Sequence, residues 1–266
     1  MPHSRPPDKI FDTPRFYRRK PKRNRMKIAS SSTSFDKSLS QGDLTQLEWL
    51  HLCASPLALD GVVFNARHFP RTDDEYLAQL KKTATDVGLT VAAVAADALL
   101  EPEGLRWLEI AALLGAPVVI ARTPRAADTS AAWNELAATA RASASIAKRA
   151  NVTIALRNAP ETMCASAADL KRLAKEVDSS WLRYALDIAE LPSLESAGEL
   201  LARAVVACHD ADSADDNRIS GLLSDLCAFR AFLVVDAPND RVTIHELARL
   251  IERIKYSETS FADVKA

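Results

Sequence analysis

Arg157, Asp187, His209 and Asp236 each stand at the end of a short apolar run, and together they bring a fixed cation, two carboxylates and an imidazole. Polar groups end the other apolar runs as well: Ser31, Ser32 and Thr33; Asn65, Arg67 and His68; Asp97; Arg122. Asn158 follows Arg157, Glu190 lies just past Asp187, and Asp210 and Asp212 follow His209. A planar guanidinium binds a carboxylate or phosphate through paired N–H bonds, so Arg157 could anchor an anionic ligand. It could equally form an ion pair with Asp187, which would be self-consistent electrostatics without catalysis. Arg67, His68 and Arg122 would then join Arg157 around an anion or remain as solvated rim charges. His209 has the type for a proton donor or acceptor near neutrality, or for a core-edge histidine held by an aspartate. Cys164 and Cys208 read as small buried residues, because no motif sets a base beside them.

These residues need elements that bring them to one place. Eight apolar runs read as strands: Lys27–Ser31, Gly61–Asn65, Thr90–Ala95, Val118–Arg122, Val152–Arg157, Arg183–Asp187, Val205–His209 and Phe232–Asp236. Most are continuous rather than alternating, as in a parallel sheet covered on both faces. Helical segments lie between them. Thr72 with Glu75, Ser166 with Asp169 and Thr243 with Glu246 have the spacing of N-terminal capping boxes. Further helices are expected over Asp43–Cys53, Gly104–Leu114, Ala131–Ala150, Glu195–Ala204 and Ser220–Ala231. Alternating strands and helices of this number and length predict a (β/α)8 barrel, in which the loops after the strands form one functional rim. An open doubly wound sheet is the competing architecture, but no GxGxxG or GxxxxGK[ST] occurs and the chain has only 7 glycines.

The chain has 266 residues with a formal net charge of −1. That balance hides an asymmetry. Residues 1–25 carry nine Lys/Arg and two Asp/Glu, or +7, which leaves −8 for the rest. Five of the 13 prolines also fall in this stretch, so it is expected to be a disordered basic tail or an upstream extension of a protein that starts at Met26. The barrel is expected over 26–257 and a short C-terminal tail over 258–266. A mildly acidic body gives no case for nucleic-acid binding by the barrel. No apolar run reaches the roughly 20 residues of a membrane span. The 4 cysteines are scattered, with no CxxC pair, as suits a cytoplasmic protein rather than a disulfide scaffold. Trp107 and Trp133 fall on helices and should pack between neighbours; an exposed one would mark a homo-oligomer contact.

Six segments, in this order and spacing, carry a family resemblance: DGVVFNARHFP, LEIAALLGAPVVIA, VTIALRNAPET, YALDIAEL, CHDAD and FLVVDAP. From Met26 to about Lys255 the chain resembles the xylose isomerase-like TIM barrels, a superfamily of sugar isomerases, sugar epimerases and family-2 AP endonucleases. The resemblance implies a sugar or sugar derivative as ligand and a divalent metal held by Glu, Asp, His and Glu from strands five to eight. Such oxygen and imidazole ligands suit Mn²⁺, Mg²⁺, Co²⁺ or Zn²⁺. Carried over position by position, Asp187 and His209 match the central ligands, and Asp212 matches the last residue of an HxxD motif. Asp236 takes the place of the final Glu and is shorter by about 1.5 Å, one C–C bond. Arg157 replaces the first Glu, Glu190 replaces the histidine of an lDxxH motif, and Phe64 replaces a second-strand Glu. A guanidinium has no lone pair for a metal and would repel one.

The expected site is therefore Arg157, His209 and Asp236 as the chemical groups, with Asn65, Arg67, His68, Arg122, Asn158 and Asp212 around the ligand. Asp187, His209 and Asp236 are the surviving metal-ligand candidates. Three functions stay open. The first is a sugar isomerase or epimerase with an incomplete metal site. The second is a metal-free or catalytically silent binder of an acidic sugar-like ligand. The third is a scaffold that keeps only the barrel.

Overall fold

The computed structural model describes residues 26–125, 129–190, 200–201, 203–210, 231–237 and 243–264. Its strands are β1 (Lys27–Ser31), β2 (Gly61–Asn65), β3 (Thr90–Ala95), β4 (Val118–Ala121), β5 (Thr153–Arg157), β6 (Leu182–Asp187), β7 (Ala204–Asp210) and β8 (Phe232–Asp236). Each pairs in parallel with the next, and β8 returns to β1, closing the barrel. Closure leaves no edge strand, and with helices outside and a packed interior each strand is largely buried and mostly apolar through its middle. Four strands have the expected bounds. β4 stops one residue early, which puts Arg122 on the loop, and β7 extends to Asp210.

Side chains alternate between two apolar layers. Ala29, Val63, Ala93, Ile120, Ala155, Ala185, Val206, Cys208 and Val234 fill the interior of the barrel. Ile28, Val62, Phe64, Ile154, Leu156, Leu186, Ala207, Leu233 and Val235 face the helices. Small residues prevail inside because eight converging strands leave little room there. Phe64 accordingly sits in the outer layer, edge-on to Trp49 at 5.3 Å between ring centres, and not at the rim.

The helices are α1 (Asp36–Gln41), α2 (Gln46–Ala54), α3 (Asp74–Asp86), α4 (Arg106–Leu114), α5 (Ser130–Ala150), α6 (Ala167–Val177) and α7 (Ile244–Val264). Expected capping pairs close at Ser166 with Asp169 and at Thr243 with Glu246. Two starts differ from expectation. Asp73, not Thr72, caps α3 by accepting from the Tyr76 N–H. Thr45 with Glu48 opens α2 through a complete capping box that sequence reading passed over. The short α1 was not anticipated at all. Helix α7 continues to Val264, past the expected barrel boundary at 257. The tail 1–25 and most of the segments Glu195–Ala204 and Ser220–Ala231 lie outside the described residues, although Ala204 itself belongs to β7. No helix among the described residues is long and apolar enough to cross a membrane.

Trp107 and Trp133 are both buried. Trp133 lies beneath the Arg172 guanidinium at 3.9 Å and donates its indole N–H to Glu176 at 2.9 Å, tying α5 to α6. Neither tryptophan offers the exposed face that a homo-oligomer contact through it would need.

Candidate functional site

Strand alternation brings three of the expected residues together. Arg157 has the parity of Ala155, Asp187 that of Ala185, and Asp236 that of Val234, so all three point into the C-terminal mouth. Arg157 donates from Nε and Nη2 to one oxygen, Asp187 Oδ2, at 3.1 and 2.5 Å. The other oxygen, Oδ1, accepts the Ala189 N–H at 3.1 Å. Side-chain exposure is 19% for Arg157 and 12% for Asp187, so the pair is close to buried. Burial acts most strongly on Arg157 and pulls its pKa down. The carboxylates of Asp187 and Asp236, joined by Cys208 only at a pH high enough to ionise its thiol, outweigh that and raise the guanidinium above its ordinary value. It stays a cation at any pH the fold survives.

Asp236 is held from the opposite side by the segment that follows β1. Thr33 Oγ1 lies 2.9 Å from both carboxylate oxygens, and Ser34 Oγ donates to Oδ1 at 2.8 Å. Ser34 Oγ in turn accepts the Ala237 N–H at 3.0 Å, which fixes its proton toward the carboxylate. The serine-rich run Ser30–Ser34 is thus a hydroxyl cradle for a carboxylate supplied by β8, the strand that closes the barrel. Cys208 pairs in register with Asp187 and shares the interior. Burial pushes its thiol up to about 11, against the pull of Arg157, so it is a neutral thiol and not a nucleophile.

Of the two readings open for His209, its place on β7 departs from the ligand reading and is compatible with the core-edge one. Cys208 faces the interior, so the next residue of β7 faces the helices, in register with the outer-layer Val235. His209 is buried there, and its parity separates it from Asp187 and Asp236. A metal reading that joins these three needs the imidazole on the inward face of β7, where Cys208 lies. Glu190 is exposed on the turn after β6. Asp212 lies outside the described residues. Among the described residues, no group of three or more His, Cys, Asp or Glu converges as a metal cage.

The remaining expected residues divide by burial. Asn158 is wholly buried: its Oδ1 accepts the Asp187 N–H at 2.8 Å, and its Nδ2 donates to the Asp187 carbonyl at 3.2 Å. Both ends of its amide are spent on joining β5 to β6. His68 is also buried, at the centre of a second network. Ser32 Oγ accepts the Asn65 N–H at 2.9 Å and lies 2.7 Å from His68 Nδ1. His68 Nε2 lies 2.7 Å from Asp36 Oδ1. One proton assignment satisfies the chain: Ser32 donates to Nδ1, and Nε2–H donates to Asp36. Arg67 reaches the same carboxylate oxygen at 2.7 Å from the surface. Arg122 pairs with Asp97 at 3.4 Å, and both are substantially exposed. Arg157, Arg122 and Arg67 are thus each matched to an aspartate of the rim.

Three groups escaped the sequence reading: the outward parity of His209, the partnership of Ser34 with Asp236, and the role of Asp36. Strict alternation counted back from Asp236 along β8, and along β7 from Val206, could have found the first. Nothing local announces the other two, because Ser34 and Asp236 are 202 residues apart.

A family model described as xylose isomerase-like TIM barrel matches residues 54–258. No curated protein matches the sequence significantly. Among solved structures, the chain is similar to one described as L-ribulose 3-epimerase, with a TM-score of 0.72 and 15% identity, over 90% of this chain and 97% of that one. It is similar to the probable 3-DHS dehydratase AsbF of Bacillus anthracis, with a TM-score of 0.71 and 12% identity, over 86% of this chain and 99% of the other. It is also similar to the 3-keto-D-glucoside 4-epimerase YcjR of E. coli, with a TM-score of 0.68 and 14% identity, over 87% and 99%. At these identities the likeness establishes the fold.

Proposed function

The chain belongs to the xylose isomerase-like TIM barrels, and from that membership we propose that its barrel mouth takes a sugar or sugar derivative without a divalent ion between β5 and β8. The observation that carries this reading is the Arg157–Asp187 pair. The donor set does not fit a metal. Arg157 offers no lone pair and brings a positive charge to the place a cation would need. Asp187 Oδ2 already accepts two of its N–H groups. Asp236 is turned into the hydroxyls of Thr33 and Ser34, and His209 has outward parity.

What the mouth offers a ligand is hydrogen bonding. Arg157 spends Nε and Nη2 on Asp187, and Nη1 makes no bond among the described residues, so its two N–H groups are free for a ligand oxygen. The Asp236 carboxylate accepts hydroxyl protons. A polyhydroxylated ligand can use both, and an acidic one adds charge attraction to Arg157. A cytoplasmic setting suits this reading, since Cys53, Cys164 and Cys208 are free and buried.

The test is metal content first, then ligand binding. The protein is chelated, offered Mn²⁺, Co²⁺, Mg²⁺ and Zn²⁺ in turn, and assayed by elemental analysis beside Asp187→Asn. The expected outcome is no stoichiometric metal in either. Thermal shifts with ketoses, aldoses, inosose-like polyols and acidic sugars should then find a stabilising ligand whose effect is lost in Arg157→Gln. Stoichiometric metal that disappears in Asp187→Asn would overturn the metal-free reading. Absence of any sugar-dependent shift would overturn the ligand class.

A further inference from the structure

Outside the mouth, a cleft of about 520 Å³ opens between the loops after β3, β4 and β5 and the flank of α5. Its volume lies in the range of small-molecule sites, which are mostly apolar with a few polar groups at set points. The wall follows from the sequence. Ala132, Leu136, Thr139 and Ser143 recur at helical spacing along one face of α5, and three of the four are small. Their short side chains leave room between α5 and the loops after β3, β4 and β5. Leu100, Leu105, Leu136 and Met163 supply the apolar floor.

The polar groups at this cleft are mismatched in sign. Glu101 and Glu135 line it, both are exposed, and neither carboxylate has an ion-pair or hydrogen-bond partner among the described residues. Arg125 is the only cation lining it among the described residues, and Glu161 reaches that guanidinium at 3.4 Å. The cleft is therefore lined by two carboxylates without a partner among the described residues and by one guanidinium that Glu161 already matches. Nothing in this arrangement suits an anion. An apolar body bearing a positive charge would bury its hydrocarbon on the floor and place its charge between Glu101 and Glu135.

We propose that the cleft beside α5, walled by Leu105, Leu136 and Met163 and edged by Glu101 and Glu135, is a second ligand site that takes a small organic ammonium ion. It stands apart from the mouth and does not depend on the reading of Arg157. The loop after β5 runs from one to the other: Asn158 clamps β6 at the mouth, while Met163 lines the cleft and donates its N–H to the Pro124 carbonyl at 3.0 Å.

Benzylammonium is the probe, with benzyl alcohol and benzoate as its neutral and anionic counterparts. The chain has 3 methionines, so a ¹³C-methyl spectrum of the full-length protein resolves Met163, with Met26 before β1 as an internal control. Benzylammonium should shift Met163 saturably and leave Met26 still. Benzyl alcohol should bind roughly fivefold more weakly, the worth of two partly exposed ion pairs, and benzoate should not bind. Glu101→Gln with Glu135→Gln changes only exposed side chains and should bring benzylammonium down to the level of the alcohol. A Met163 signal that never saturates overturns the site. Equal affinity for amine and alcohol, or an amine affinity that survives the double substitution, overturns the charge assignment.

Discussion

At the scale of the residue, Arg157 and Asp187 are joined so closely that removing either leaves a charge nearly enclosed. Arg157→Ala should therefore cost about 3 kcal/mol in urea unfolding. Arg157→Met combined with Asp187→Leu should recover most of that loss, because hydrocarbon of similar volume replaces both charges together. A single substitution with no effect would mean that water already screens the pair. His68 makes a pH-dependent contribution of known sign. Burial, its largest influence, lowers its pKa from 6.5; Arg67 lowers it further, and Asp36 and Asp236 oppose the shift. The unfolded chain therefore takes up the proton before the folded chain does. The stabilisation is complete above 6.5 and is lost as the pH falls toward the folded-state value. Thermal melts between about pH 5 and 7.5 should show this slope, and His68→Gln should flatten it. An unchanged slope in that variant would assign the dependence to another group.

At the scale of the element, the decisive property is parity. One residue along β7 separates the interior, where Cys208 lies, from the helix layer, where His209 lies. A motif read as a string cannot register this, because the same letters serve either face. Loops carry comparable constraints. Gly104 lies where the chain after β3 doubles back before α4. A Cβ there would run into the carbonyl oxygen of Ala98 and come within 2.6 Å of Leu99 Cα. Neither neighbour is a movable side-chain tip, so Gly104→Ala should destabilise by about 3 kcal/mol, the upper end for overpacking. Gly88 is the useful contrast: it has a φ of +81° and open space around it, so Gly88→Ala should cost about 1 kcal/mol, from backbone strain alone. Equal losses at the two positions would show that contact at Gly104 is relieved by loop movement.

At the scale of the whole molecule, closure of the barrel makes distant segments neighbours. Pairing of β8 with β1 puts Asp236 against Thr33 and Ser34, and pairing of β5 with β6 puts Arg157 against Asp187. Much of this was legible in the sequence. Continuous apolar runs fixed eight strands nearly to the residue, because a strand largely buried on both faces has to be mostly apolar through its middle. The Arg157–Asp187 pair was among the alternatives that the sequence left open, since both residues end adjacent strands. Helix starts were legible where Ser166 and Thr243 found their acidic partners three residues on. By itself, then, the sequence determined the elements, their order and the rim on which charge collects, all of which follow from local patterning and the preference of consecutive βα units to wind one way. Tertiary structure alone decided which rim side chains share a face, that Asn158 and His68 are spent on internal bonds, and that Asp236 is cradled by hydroxyls of the segment after β1. Those outcomes depend on register and strand parity, which are set by packing across the whole barrel rather than by any neighbour in the chain.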